Sequence, residues 1–73
     1  MMTNQYTRVF TKRERDVFQL LSEGYATAEI ARSLAITEKT VRNHISNVML
    51  KIGVKDRTQA LVYLMKTNEL SIH

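Results

Sequence analysis

The sequence predicts an all-α domain of four helices containing a helix-turn-helix, on three observations. There is no proline, and glycine occurs only at positions 24 and 53, so the turn punctuation that strands and hairpins need is missing. Apolar residues recur at helical spacing, most clearly at Val41, Ile45, Val48, Met49 and Ile52. Residues with good capping oxygens, Thr11, Thr27, Thr37 and Asp56, stand just ahead of the apolar segments.

The first helix is expected over about 12–23. Thr11 and Glu14 have capping-box spacing, Val17, Phe18, Leu20 and Leu21 supply an apolar side, and Gly24 suits the left-handed stop. Phe10, just before the cap, is expected to fold back onto this helix, while residues 1–9 read as a flexible tail ahead of a domain spanning 10–73. A short second helix, about 28–34, has Thr27 as its cap, Glu29 at the positive end of its dipole, and Ile30, Ala31 and Leu34 as its apolar face. Ala31 is small enough to let another helix cross closely. Thr37 caps a third helix over about 38–52, roughly 22 Å long at 1.5 Å per residue, and Gly53 ends it. Two helices so closely spaced, the second with an apolar stripe, read as a helix-turn-helix whose second member is available to a major groove. A fourth helix, about 57–66, has Asp56 as its cap and Gln59 at the capping-box position. Its centre, ALVYLM at 60–65, is apolar all the way round, so a partner subunit is expected to cover the side turned away from the core.

With 73 residues, the chain holds one small domain that buries only roughly 60% of its unfolded surface. It has no cysteine and hence no disulfide, as suits a reducing cytoplasm. No apolar run is long enough to span a bilayer, and the N-terminus lacks the apolar centre of a secretory signal. The net charge is +4 with a pI near 9.8, and the bases are clustered. From Lys39 to Arg57 there are five (Lys39, Arg42, Lys51, Lys55, Arg57) against one acid, Asp56. A second group, Lys12, Arg13 and Arg15, is interleaved with Glu14 and Asp16. The clustering favours a polyanionic partner.

The sequence carries no sign of an enzyme. His44 and His73 are the only histidines and have no ligand-spaced carboxylate pair beside them, so no metal site is expected. No nucleophile triad and no glycine-rich phosphate loop is present. Tyr6, Tyr25 and Tyr63 are too scattered for a single-strand stacking platform. Neither cofactor nor small-molecule ligand is expected.

Arg42 is the leading base-reading candidate. It sits about one turn into the third helix, away from the Val41/Ile45 stripe, and a guanidinium can make two bonds to guanine O6 and N7. Asn43, next to it, can pair with adenine or touch the DNA backbone. Lys39, Thr40, Asn47, Lys51, Lys55, Arg57 and Thr58 are candidate phosphate contacts, and the helix starts at Thr27, Thr37 and Asp56 offer free amides to phosphates. A merely solvated helix face would look similar at Asn43, Ser46 and Asn47.

Four separated blocks carry a family resemblance: T-K-R-E-R-D-V at 11–17, E-I-A at 29–31, I-T-E-K-T-V-R-N-H-I at 36–45 and K-I-G-V-K-D-R-T-Q-A at 51–60. Together they resemble the tetrahelical LuxR/GerE-type helix-turn-helix DNA-binding domain over residues 10–70, and most of all its stand-alone GerE-like spore regulators, which have no sensor domain. Phe10 replaces the family leucine before the first cap. Ala35 occupies a turn position that is often glycine; a left-handed backbone there would cost alanine about 1 kcal/mol.

The resemblance implies a sequence-specific bacterial transcription regulator that binds double-stranded DNA as a homodimer. Its site would be an imperfect inverted repeat with half-sites about one helical turn apart, read by the third helix in the major groove. The resemblance adds Ser46 to the base-reading set and puts His44 at the edge between core and DNA. It also assigns the dimer contact to the fourth helix, where Val62, Tyr63 and Met65 are the expected face and Leu61 and Leu64 turn inward. RNA polymerase is a further expected partner, the location cytoplasmic and nucleoid-associated when bound, and activity is expected to be set by abundance or by a partner protein. Two other readings remain open at this point: a protein-interaction or anti-activator module pairing through the fourth helix, and a sigma-factor region-4-like promoter-binding domain.

Overall fold

The computed structural model describes residues 10–70, which form four helices and no strand. The tail expected at 1–9 lies outside the described residues. α1 (Lys12–Ser22) starts with the capping box: the Glu14 N–H donates to Thr11 Oγ1 at 3.0 Å, and the Thr11 N–H donates to Glu14 Oε1 at 2.9 Å. α2 (Thr27–Leu34) starts one residue earlier than its threonine suggested. Ala26 holds the cap position, and Thr27 is the first helical residue. The reason is Glu29, whose carboxylate accepts the Ala26 N–H at 2.9 Å, satisfying from inside the helix an amide that would otherwise be orphaned. α3 (Glu38–Ile52) is capped by Thr37 and α4 (Arg57–Lys66) by Asp56, which accepts the Gln59 N–H at 2.9 Å.

All four helices stop by the same device. A left-handed residue follows each, and the next residue donates its N–H back to a carbonyl five positions earlier: Tyr25 to Leu20 (3.1 Å), Ile36 to Ala31 (3.0 Å), Val54 to Met49 (3.1 Å) and Glu69 to Leu64 (2.8 Å). The left-handed residues are Gly24, Ala35, Gly53 and Asn68. Ala35, at φ 58° and ψ 43°, is the costly one, because its Cβ crowds the backbone where glycine has none. It sits between the two members of the helix-turn-helix and sets the tightness of that turn.

α1 and α3 are the central pair, each packed on all the other helices. α2 and α4 each pack on both of these, and no Cα of one comes within 8 Å of a Cα of the other. The core takes Val17 and Phe18 from α1, Ile30 and Ala31 from α2, Val41, Ile45 and Val48 from α3, and Ala60 and Leu64 from α4. Phe10 and Leu70, outside the helices at the two ends of the described chain, complete it. A domain this small has about 0.05–0.15 kcal/mol of net stability per residue, so truncating a side chain such as Phe18, at about 3–5 kcal/mol, removes much of the total.

The ALVYLM segment is better covered than expected. Leu61, Tyr63 and Met65 are half-buried against the protein's own core, and only Val62 is exposed, at 44%. With residues such as Leu70 packing into the core from beyond α4, the domain covers much of this helix itself.

Candidate nucleic-acid interface

The α3 stripe of Val41, Ile45 and Val48 is buried, and this holds the opposite side out. Lys39, Arg42, Asn43, Ser46 and Asn47 are all exposed on it. Thr37 fixes the start of the helix, its Oγ1 accepting the Thr40 N–H at 3.1 Å. Because α2 and α4 stand apart, an open cleft of about 360 Å³ is left, lined by Thr27, Arg42, Ile45, Ser46, Met49 and Arg57. Thr27 is the first residue of α2 and Arg57 the first of α4, so two positive helix ends converge beside Arg42 and Ser46. Arg42 Nη1 also donates to Glu38 Oε1, one turn back, at 3.2 Å.

The phosphate candidates divide into several groups. Lys39, Lys55 and Arg57 are exposed and have no ion-pair partner among the described residues. Asn47 is exposed on α3, whereas Thr27 and Thr40 are half-buried, with the Thr40 hydroxyl accepting from Thr37 Oγ1 at 3.0 Å. Thr58 is exposed but stands away from the Arg42 cleft, beside Val54, Val62 and Tyr63 in a shallow, mostly apolar hollow.

Lys51 is engaged elsewhere. Its Nζ lies 2.7 Å from Glu14 Oε1 and 5.7 Å from the centre of the Phe10 ring. Nine positions from Arg42 is two and a half helical turns, which puts Lys51 on the opposite flank of α3. The Glu14 carboxylate it meets is only 4% exposed. Lys51 therefore ties the end of α3 to the start of α1, and its charge supports a buried acid. Spacing alone could not reveal this, because the partner lies 37 positions away.

The second basic group is also paired. Lys12 and Arg13 reach Asp16 at 3.4 and 3.8 Å, and Arg15 reaches Glu69 at 4.0 Å. Of the clustered bases at 39–57, Lys39, Lys55 and Arg57 remain exposed without an ion-pair partner among the described residues, as do Arg32 on α2 and Lys66 on α4 elsewhere on the surface. Leu50 was not anticipated. It follows Arg42 and Ser46 at helical spacing and is 80% exposed, next to Met49, Val54 and Lys55 in a second hollow. Its signal was available, since it falls outside the i, i+4, i+7 pattern of the stripe. Among the described residues no cluster of three metal-ligating side chains occurs, and no helix is long and apolar enough to cross a membrane.

A family model described as bacterial regulatory proteins of the luxR family matches residues 8–64. The spore germination protein GerE of Bacillus subtilis (strain 168) is 58% identical over 64 residues, covering 88% of this chain and 86% of that protein. The transcriptional regulatory protein DegU of Brevibacillus brevis is 44% identical over 64 residues, which make up 27% of its length. The response regulator VraR of Staphylococcus aureus (strain Mu3 / ATCC 700698) is 43% identical over 60 residues, 29% of its length. A solved structure of the transcription factor GerE superposes with a TM-score of 0.83 at 53% identity, covering 85% of this chain and 92% of that one. The buried stripe, the outward polar side of α3 and these likenesses agree: the chain belongs to the luxR family of bacterial regulatory proteins, as a GerE-like transcription regulator with an all-α, DNA-binding helix-turn-helix domain and not an enzyme.

Proposed function

We propose that the chain binds an imperfect inverted repeat in double-stranded DNA as a homodimer, each α3 lying in a major groove. The observation that carries this is the open cleft where Arg42 and Ser46 on α3 meet Arg57 and Thr27 at the starts of α4 and α2. Arg42 reads a guanine edge, and Asn43 and Ser46 contact neighbouring bases. Lys39, Lys55 and Arg57 neutralise phosphates, with Thr27, Thr40 and Asn47 as polar contacts that set register. Lys51 is left out of that set because it serves Glu14. Val62, with Tyr63 and Met65 beside it, forms the contact between subunits, and the half-sites fall about 10 base pairs apart. RNA polymerase is a further partner, the setting is the cytoplasm, and activity is governed by abundance or a partner protein.

Duplexes selected from a random pool give the test. If a dimer neutralises roughly 6 phosphates, three per protomer, log K falls against log salt with a slope of about −5. Arg42→Ala should lower the preference for selected over scrambled duplex by about 1–3 kcal/mol. An unchanged preference would refute base reading by Arg42. The exposed Val62 on α4 favours a second reading, an anti-activator that pairs through α4. Regulatory activity that survives Arg42→Ala would point to it.

A further inference from the structure

We propose that Glu38 determines specificity by holding the Arg42 guanidinium ready for a guanine edge and weakening its attraction to phosphate. This rests on the DNA reading above and adds a positioning residue to it.

Glu38 is the only carboxylate on α3, on a helix whose exposed side otherwise bears Lys39, Arg42, Asn43, Ser46, Asn47 and Leu50. Its Oε1 accepts from Arg42 Nη1 at 3.2 Å, and the two side chains remain 46% and 61% exposed. The pair is therefore open to a ligand and is not a buried tie of the Lys51–Glu14 kind. The acid precedes the base by four positions, the order that suits both the helix geometry and its dipole.

A lone negative charge on a DNA-facing helix repels phosphate, so it lowers affinity for every sequence. It raises discrimination if it acts on the residue that reads bases. An unpaired arginine is satisfied by any phosphate, and phosphates carry no sequence information. With Glu38 beside it the charge of the pair sums to zero, and that competing attraction weakens. The guanidinium has five donors, so engaging one Nη1 leaves a free edge for guanine O6 and N7. The carboxylate also restricts the plane of the guanidinium, so less freedom is lost on docking.

The test uses the full chain with selected and scrambled duplexes at several salt concentrations. It compares wild type, Glu38→Gln, Arg42→Ala and the double variant, with circular dichroism confirming the helical fold of each. Glutamine keeps the shape and removes the charge. Glu38→Gln should bind scrambled duplex several-fold more tightly, lower the selected-to-scrambled ratio about tenfold, and steepen the salt slope by about one per protomer. With Arg42 already replaced, Glu38→Gln should leave the ratio unchanged. A wild-type ratio and slope in Glu38→Gln, alongside a lowered ratio in Arg42→Ala, would overturn the role of Glu38 and leave base reading by Arg42 standing. No effect of Arg42→Ala would overturn that base reading itself. A loss of ratio that persists without Arg42 would make Glu38 a direct base reader, as for a carboxylate on cytosine N4, and overturn the positioning role.

Discussion

Replacing Lys51 by methionine separates a strut from a DNA contact. The Glu14 carboxylate is buried, and its Oε1 accepts from both the Thr11 N–H at 2.9 Å and Lys51 Nζ at 2.7 Å. Methionine keeps most of the apolar stem and removes the ammonium, leaving Glu14 without its cation. A charged hydrogen bond is worth about 1.5–3 kcal/mol, and a cation over an aromatic ring adds about 0.5–1 kcal/mol at a partly exposed site. The Lys51 side chain is itself 29% exposed, so water screens part of the loss, and a cost of about 2–3 kcal/mol is expected. For a domain of this size each kcal/mol shifts Tm by about 4–8 °C, so Lys51→Met should melt roughly 10–20 °C lower. Adding Glu14→Gln should recover part of the loss, because the buried charge is then gone. Urea unfolding of the four-member cycle measures the coupling, and DNA titrations below the melting range measure the salt slope. An unchanged unfolding midpoint together with a salt slope shallower by about one per protomer would refute the strut and restore Lys51 as a phosphate anchor.

The other expectations involve smaller changes. Ala35→Gly should stabilise the domain by about 0.5–1 kcal/mol, the relief of a left-handed Cβ minus the greater freedom of unfolded glycine; a lower urea midpoint at constant m-value would contradict it. Lys55→Gln should alter stability by less than about 0.5 kcal/mol and make the salt slope shallower by about 0.9 per protomer, and an unchanged slope would remove Lys55 from the phosphate set. Val62→Lys, on a side chain exposed in the single chain, should weaken self-association at least tenfold while the helical spectrum is kept. Sedimentation velocity decides this: identical concentration dependence in wild type and variant would move the subunit contact away from Val62.

The local rules were legible in the chain because they act over three to five residues. Thr11 with Glu14, Thr37 with Thr40 and Asp56 with Gln59 each make the expected cap, and Gly24 and Gly53 take the expected left-handed stops. The α3 stripe told which side of that helix would be buried, and hence that Arg42 would face outward. Thr27 misled because two capping solutions lay one residue apart, and Glu29 reaching back to Ala26 made the difference.

The sequence by itself determined the helices, their stops, and the polarity of the side that α3 presents. Only the tertiary structure decided which of the clustered bases stays available. It spent Lys51 on a buried acid 37 positions away, paired Arg15 with Glu69 beyond α4, and set Arg57 and Arg42 on the walls of one cleft. The physical reason is range: caps and stripes are set by bonds along one stretch of backbone, whereas the partner of a charge depends on which distant chain segment packing delivers to it.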